Sequence, residues 1–160
     1  MGCISVSGTG CAAPTTGWAT SRALACAAAA LLLVGASPVA RLELDVAKLR
    51  SARGMLRICL TADPANFPSC VDDARAVTRS VPARDAGIVY DALPPGDYAI
   101  AVIHDENGNA RLDTLMGIPR EGFGFSRNPA VGFGPPRFAA ARFTLDRAGG
   151  SQQVRMRYLL

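Results

Sequence analysis

The sequence predicts an all-β fold, an antiparallel immunoglobulin-like or prealbumin-like sandwich of about seven strands with one long ordered loop, after an N-terminal signal helix. Two observations predict it. Short stretches between residues 41 and 103, and again after residue 141, alternate apolar with polar side chains. Turn residues separate these stretches, and no long amphipathic helix is visible.

The chain divides at residue 40 into a signal peptide with its preceding segment, residues 1–40, and a single β-sandwich domain, residues 41–160. Arg22 precedes a continuous apolar stretch over residues 23–36, and small residues follow before the first charged segment. This order is typical of a secretory signal. The stretch is short for a membrane span, which takes about 20 residues. We expect a periplasmic or secreted protein that meets a membrane only through an uncleaved signal segment.

Seven segments carry the strand pattern. They are RLELDVAKL, MLRICLT, ARAVTRSVPA, GIVYDAL, DYAIAVIHD, ARFTLD and QQVRMRYLL. The fifth is apolar on both faces, which predicts a central strand or one that is covered on both sides. RFAAA predicts a short helix.

The cysteines predict one disulfide. Of five cysteines, only Cys59 and Cys70 follow residue 40. Two cysteines so close in an exported protein usually pair. The bridge is expected to contribute about 2–3 kcal/mol, chiefly by restricting the unfolded chain.

The charge argues against a nucleic-acid partner. The whole chain carries +4, and Arg22 is the only charged residue before residue 41, so residues 41–160 carry +3. The basic residues are scattered, without a run of them or interleaved aromatic residues.

Residues 104–136 interrupt the strand pattern with glycines and prolines. Long loops in compact domains are often functional, and Phe123, Phe125 and Phe133 are too apolar for a disordered tail. We expect an ordered loop whose Phe side chains fold inward. The alternative is an exposed patch for a partner or ligand.

The stretch HDENGNARLDT, residues 104–114, is spaced like a calcium loop. In an EF-hand count, side-chain oxygens stand at positions 1, 3, 5 and 9, and a main-chain carbonyl stands at position 7. The corresponding ligands are Asp105, Asn107, Asn109, Asp113 and the carbonyl of Arg111. Position 6 is Ala110 rather than Gly, and position 12 is Met116 rather than an acid, so Glu121 is the candidate for the missing carboxylate. Calcium binding would be weak. A polar hairpin or Asx-turn at Asn107–Gly108 is the favoured interpretation of the same residues.

His104, the single histidine, is the candidate for a catalytic role, with Ser126 as nucleophile. Asp105 points to the opposite strand face, so it does not orient His104 simply. A strand-end histidine hydrogen-bonded to the loop is the favoured interpretation. Arg120 and Glu121 are expected to form a salt bridge. The candidate binding loop comprises His104, Arg120, Phe123, Phe125 and Ser126.

The stretch LPPGDYAIAVIHDENGNARLDTLMGIPREGFGFSRNPAVGFGPPRF resembles the signature of an exported bacterial family, domain of unknown function 2141. HDENGN, LDT, GIPREGFGFS and FGPPRF occur in the family's order. The family's usual glycine after the second Asn is Ala110 here. The resemblance implies a secreted or periplasmic β-sandwich and no assigned reaction.

These observations predict an exported, non-enzymatic β-sandwich module. Calcium at the 105–113 loop is the candidate cofactor that would stabilise it. The candidate role is envelope binding or assembly, with another envelope protein or a small ligand as partner. The alternative is a small-ligand-binding protein or hydrolase centred on His104 and the 117–136 loop.

Overall fold

The computed structural model describes residues 38–132 and 134–160. The predicted signal helix and Phe133 lie outside the described residues. Within them, the chain forms ten strands and one helical turn. These are β1 (Ala40–Ala47), β2 (Met55–Thr61), β3 (Val77–Pro82), β4 (Gly87–Leu93), β5 (Gly96–Asp105), β6 (Thr114–Leu115), β7 (Ile118–Pro119), β8 (Gly122–Phe125), α1 (Phe138–Ala141), β9 (Phe143–Leu145) and β10 (Gly150–Arg155). The fold is therefore all-β, as predicted, and α1 lies in the predicted RFAAA segment. In the part of the chain described, no helix is long and apolar enough to cross a membrane.

The strands form two main sheets. The smaller sheet has the order β10–β1–β4, and the larger has the order β3–β2–β5–β8. β5 is the central strand of the larger sheet. One edge pairs with β2, and the other is shared between β8, opposite residues 101–104, and β9, opposite residues 96–98. The prediction of a central strand from its two apolar faces is confirmed.

The core contains side chains from both sheets. In β1 the alternate residues Leu42, Leu44 and Val46 are buried, and Glu43 and Asp45 between them are exposed. The inward residues of β2, β5 and β10 join the same core, as does Met156, which directly follows β10. The strand residues are Leu56, Ile58, Leu60, Ile100, Val102 and Val154. Burial of these side chains is the main stabilising contribution.

The purely antiparallel expectation is wrong for one pair, because β1 and β10 run parallel, with Leu42 opposite Gly150 and Ala47 opposite Arg155. A parallel pair needs a long crossover connection. Here nearly the whole domain forms that connection. The alternation of apolar and polar residues shows which face of a strand is buried but not the direction of the neighbouring strand. It therefore could not predict that β1 and β10 are parallel.

The predicted long loop contains three more strands. β6 and β7 form a hairpin, and β8 belongs to the larger sheet. β8 lacks the usual pattern because its inward positions are Gly122 and Gly124. A Cβ on Gly122 would overlap the Tyr158 ring, and one on Gly124 would overlap Val154. The glycines therefore let the C-terminal segment pack closely against the sheet.

The predicted disulfide between Cys59 and Cys70 is confirmed, with a Cα–Cα distance of 5.8 Å. It ties β2 to the loop that precedes β3. The same loop is fixed by Asp73, which accepts a hydrogen bond from the Thr61 hydroxyl at 2.5 Å. The loop thus has a fixed position over the outer face of the larger sheet.

Candidate functional site

The loop that follows β5 is organised around the carboxylate of Asp105, which is fully buried. Its Oδ1 accepts hydrogen bonds from the amides of Gly108 at 2.7 Å and Asn109 at 3.1 Å. Its Oδ2 accepts from the Ala110 amide at 2.8 Å and from Arg57 Nε at 3.0 Å. A carboxylate offers about four lone-pair positions, so these four bonds use its accepting capacity. Burial by itself raises the pKa of Asp105, but these hydrogen bonds outweigh it and lower the pKa below its usual value.

The remaining polar side chains of this loop bind one another. Asp113 accepts from the side-chain amides of Asn107 at 2.7 Å and Asn109 at 2.8 Å. The carbonyl oxygen of each Asn side chain accepts a main-chain N–H two residues further on, from Asn109 and Arg111 respectively. These are Asx-turns, as the turn interpretation expected.

Glu121 closes the loop from the far side of the β6–β7 hairpin. It is buried, and its two oxygens accept the amides of Glu106 at 3.0 Å and Asp113 at 3.1 Å. Glu121 therefore does return to the loop, but as an acceptor for main-chain N–H groups at both of its ends. The expected Arg120–Glu121 salt bridge is not among the ion pairs of the described residues.

The loop does not present a ready calcium site. Calcium takes six to eight oxygen ligands, whereas the oxygens of Asp105, Asp113 and Glu121 each accept hydrogen bonds within the protein. Among residues 38–132 and 134–160, no group of three or more acidic, His or Cys side chains is arranged to hold a metal ion. Binding would require these side chains to exchange their present partners. Calcium binding stays a prediction.

His104 and Ser126 are not brought together. His104 is fully buried, and its Nε2 lies 2.7 Å from the Arg53 carbonyl while Nδ1 lies 2.7 Å from the Tyr158 hydroxyl. A carbonyl only accepts, so Nε2 carries the proton and, in the neutral ring, the Tyr158 hydroxyl donates to Nδ1.

The Ser126 hydroxyl accepts from the Ile100 amide at 2.9 Å and donates to the Ala141 carbonyl. Ile100 and His104 are four residues apart on β5, on the order of 13 Å at strand spacing. The Ser–His pair of a hydrolase is therefore not formed. Ser126 instead fixes the junction where β8 ends and β9 begins to pair with β5.

The outer face of the larger sheet forms the floor of an open cleft with a volume of about 720 Å³. Two rows of cross-strand neighbours make this floor. One row runs through Ser80, Arg57, Ile103 and Phe123, and the other through Thr78, Cys59, Ala101 and Phe125. Small side chains at the centre of the second row leave the space open. The walls come from the 110–119 segment, the disulfide loop and residues near 131–135.

Phe123 and Phe125 are buried, with ring centroids 6.0 Å apart, and Phe67 packs edge-on against Phe125 at 5.9 Å. The expectation that these Phe side chains are buried rather than exposed is confirmed for both, although they pack on the outer face of the larger sheet. They fold onto the sheet as part of β8, so they hold the cleft floor in place.

The charge of the cleft has one sign. Among the described residues that line it there is no acidic side chain, whereas Arg57 and Arg111 both line it. Arg57 donates a hydrogen bond from Nε to the Asp105 carboxylate and another from Nη1 to the Ser80 hydroxyl. Arg79 also borders the cleft, but its guanidinium turns to the opposite face, over the Tyr90 ring. The cleft thus combines an apolar floor with cationic groups.

The sequence-based prediction missed the cleft floor. The available signal was the second apolar face of DYAIAVIHD with its small Ala99 and Ala101. That pattern shows that the outer face is covered, but it does not show that the covering loops leave a space above Ala101.

Fold and site together define an all-β domain in which buried carboxylates organise a loop beside an apolar, cationic cleft. The chain matches a bacterial protein family over residues 44–154, described as "Uncharacterized protein conserved in bacteria (DUF2141)". The match spans most of the chain, so the protein belongs to this family. The comparisons with curated proteins and with solved structures gave no match.

Proposed function

We propose that the protein is an exported, non-enzymatic binding module of the cell envelope. The arrangement proposed is an immunoglobulin-like or prealbumin-like sandwich. Its ligand is an amphiphile with an apolar chain and an anionic group. The signal-like stretch over residues 23–36 and the Cys59–Cys70 disulfide support export, since disulfides persist in oxidising compartments.

The cleft is the observation that carries the proposal. Its volume of about 720 Å³ lies within the usual range for small-molecule sites, roughly 300–1,000 Å³. Ala101, Ile103, Phe123 and Phe125 would bury an apolar chain. Arg111 supplies the charge that an acidic headgroup requires, because a guanidinium pairs with carboxylate and phosphate in a fixed geometry. Arg57 is already paired with Asp105 and adds hydrogen-bond donors at the floor.

The carboxylate-organised loop has a supporting role in this proposal. Asp105 holds Arg57 at the floor and Ala110 at the wall of the cleft. Glu121 fixes both ends of the intervening loop. A site of this kind is effective when its supporting shell is rigid, which is the function we assign to the HDENGN segment.

Displacement of a fluorescent fatty acid tests the proposal. Dodecanoate should compete with the probe, and dodecanol should compete less well because it lacks the charge. Ala101→Leu should weaken binding by filling the floor, and Arg111→Gln should reduce the difference between acid and alcohol. Ala139→Leu is the matched control, since Ala139 is exposed on α1. Failure of the probe and of both competitors to bind, or equal binding by Ala101→Leu, would refute the proposal.

A further inference from the structure

The β6–β7 hairpin exposes three large apolar side chains at its tip. Leu115, Met116 and Ile118 are 54%, 96% and 45% exposed. Leu115 pairs with Ile118, so Met116 and Gly117 form a two-residue turn. Single exposed apolar residues are ordinary on protein surfaces, but three on one protruding turn form a patch that calls for an explanation.

The backbone of Met116 at this tip has a left-handed conformation, which is unfavourable for a residue with a side chain. Met116 has φ 52° and Gly117 has φ 80°, which is the pattern of a type I′ turn. Asn, Asp and Gly adopt the first position of such a turn readily, whereas Met does so at a cost in free energy. An unfavourable conformation that presents a fully exposed apolar side chain is a reason to look for a function.

The charged groups around the tip are arranged for an anionic surface. The exposed Arg111 and Arg120 flank the hairpin, and neither guanidinium is in an ion pair or side-chain hydrogen bond within residues 38–132 and 134–160. The nearby acids are engaged. Glu106 pairs with Arg50, Asp113 accepts from two Asn side chains, and Asp105 and Glu121 are buried.

From this arrangement we infer that the hairpin is a membrane-docking element. Leu115, Met116 and Ile118 insert at the interface of a bilayer, while Arg111 and Arg120 bind anionic phospholipid headgroups. A convex apolar tip between two free cations matches the layered chemistry of that interface. Thr114, Gly117 and Pro119 of the same hairpin line the cleft, so docking would place the mouth of the cleft at the lipid surface. The docking inference does not depend on the proposed ligand.

Vesicle co-sedimentation with the purified protein tests the inference. Wild-type protein should bind vesicles of equal parts phosphatidylglycerol and phosphatidylcholine, bind phosphatidylcholine alone much more weakly, and dissociate at high salt. Met116→Asn should weaken binding roughly tenfold, the loss expected from one large apolar side chain. Asn tolerates the left-handed backbone, so the hairpin is retained.

Val39→Asn is the matched control. Val39 is 55% exposed and precedes the end of β1 that is remote from the hairpin, and this substitution should leave binding unchanged. Ala101→Leu should also leave vesicle binding unchanged, because it fills the cleft without altering the tip. Failure of the proposed ligand and failure of docking are thereby separated.

Four results of the vesicle experiment would overturn the inference. They are absence of wild-type binding, binding that ignores phosphatidylglycerol, wild-type binding by Met116→Asn, and an equal loss in Val39→Asn. Light scattering without lipid completes the test. A wild-type dimer that Met116→Asn converts to a monomer would assign the tip to self-association instead.

Discussion

The 105–113 loop and the adjacent hairpin over residues 114–119 place their polar and apolar side chains in opposite ways. In the 105–113 loop, polar atoms are turned inward and bound to one another, and the central carboxylate of Asp105 is fully buried. In the hairpin over residues 114–119, apolar side chains are turned outward, and Met116 is 96% exposed. The ordinary arrangement of a protein surface is reversed in both.

The comparison shows that oxygen-rich spacing alone does not identify a metal loop. Alternate Asp and Asn side chains converge on an ion when the main chain curves around it. In this loop the same side chains bind main-chain N–H groups and one another. The loop is thereby rigid without a ligand, while the hairpin beside it carries the groups that are available to a partner.

The largest expected effect comes from removing the centre of the loop. Asp105→Ala should lower the free energy of unfolding by about 3–5 kcal/mol, because it leaves Arg57 without its partner and three amides without an acceptor. Urea denaturation measures the change. Asp113→Ala is the control. The Asp113 carboxylate accepts only from the side-chain amides of Asn107 and Asn109, so a loss below about 1 kcal/mol is expected. Equal losses in the two variants would mean that Asp105 does not organise the loop.

The second effect concerns the closure of the loop by Glu121. Glu121→Gln leaves one accepting oxygen where two are used, and should cost about 1–2 kcal/mol of unfolding free energy. Arg120→Gln should leave the stability unchanged, since no ion pair of Arg120 is described. If Arg120→Gln lowered the free energy of unfolding as much as Glu121→Gln, the result would support the Arg120–Glu121 salt bridge expected from the sequence.

Acid should lower the free energy of unfolding by protonating the carboxylates of the loop, whereas the hairpin residues 114–119 have no carboxylate to protonate. Hydrogen bonds from Arg50 lower the pKa of Glu106 from 4.5, and the pKa of Asp105 lies below 3.8. A depressed folded-state pKa means that the stabilisation is complete above the unfolded-state value and is lost as pH falls through the folded-state value. Unfolding free energy should therefore decline below about pH 4.5. Glu106→Gln should make this decline shallower, and an unchanged slope would contradict the assignment.

Glycine substitutions sharpen the comparison at the level of the backbone. Ala110 and Met116 both have positive φ, 62° and 52°. Ala110→Gly should raise the free energy of unfolding by up to about 1 kcal/mol, because relief of left-handed strain slightly exceeds the added entropy of the unfolded chain. Met116→Gly should stabilise similarly but weaken vesicle binding. Thermal melts and vesicle sedimentation of the two variants separate strain from function.

Calcium should have the smallest effect on this account. If the predicted site binds calcium, millimolar calcium should raise the melting temperature only slightly, because the loop already satisfies its carboxylates. A clear rise in melting temperature that Asp113→Ala abolishes would show that the loop exchanges its hydrogen bonds for an ion.

The sequence predicted the parts of the fold that depend on local pattern. The alternation of Leu42, Leu44 and Val46 and the two apolar faces of β5 gave the correct strands, and cysteine spacing gave the disulfide. The sequence did not predict β8. Gly122 of this strand is required because a Cβ there would overlap the ring of Tyr158, thirty-six residues further along the chain. The parallel β1–β10 pair and the space above Ala101 also depend on contacts between distant segments. In the site, the hydrogen-bond partners of Asp105 and Glu121 could be assigned only from the three-dimensional structure.

A titration of isotope-labelled protein with dodecanoate, followed by nuclear magnetic resonance, tests the central claim most directly. Chemical shifts should change for the amides of Ala101, Ile103, Phe123 and Phe125 and for the Arg57 side chain, and the change should saturate as dodecanoate fills the cleft. Shifts that are absent, or that appear on the smaller sheet and not in the cleft, would contradict it.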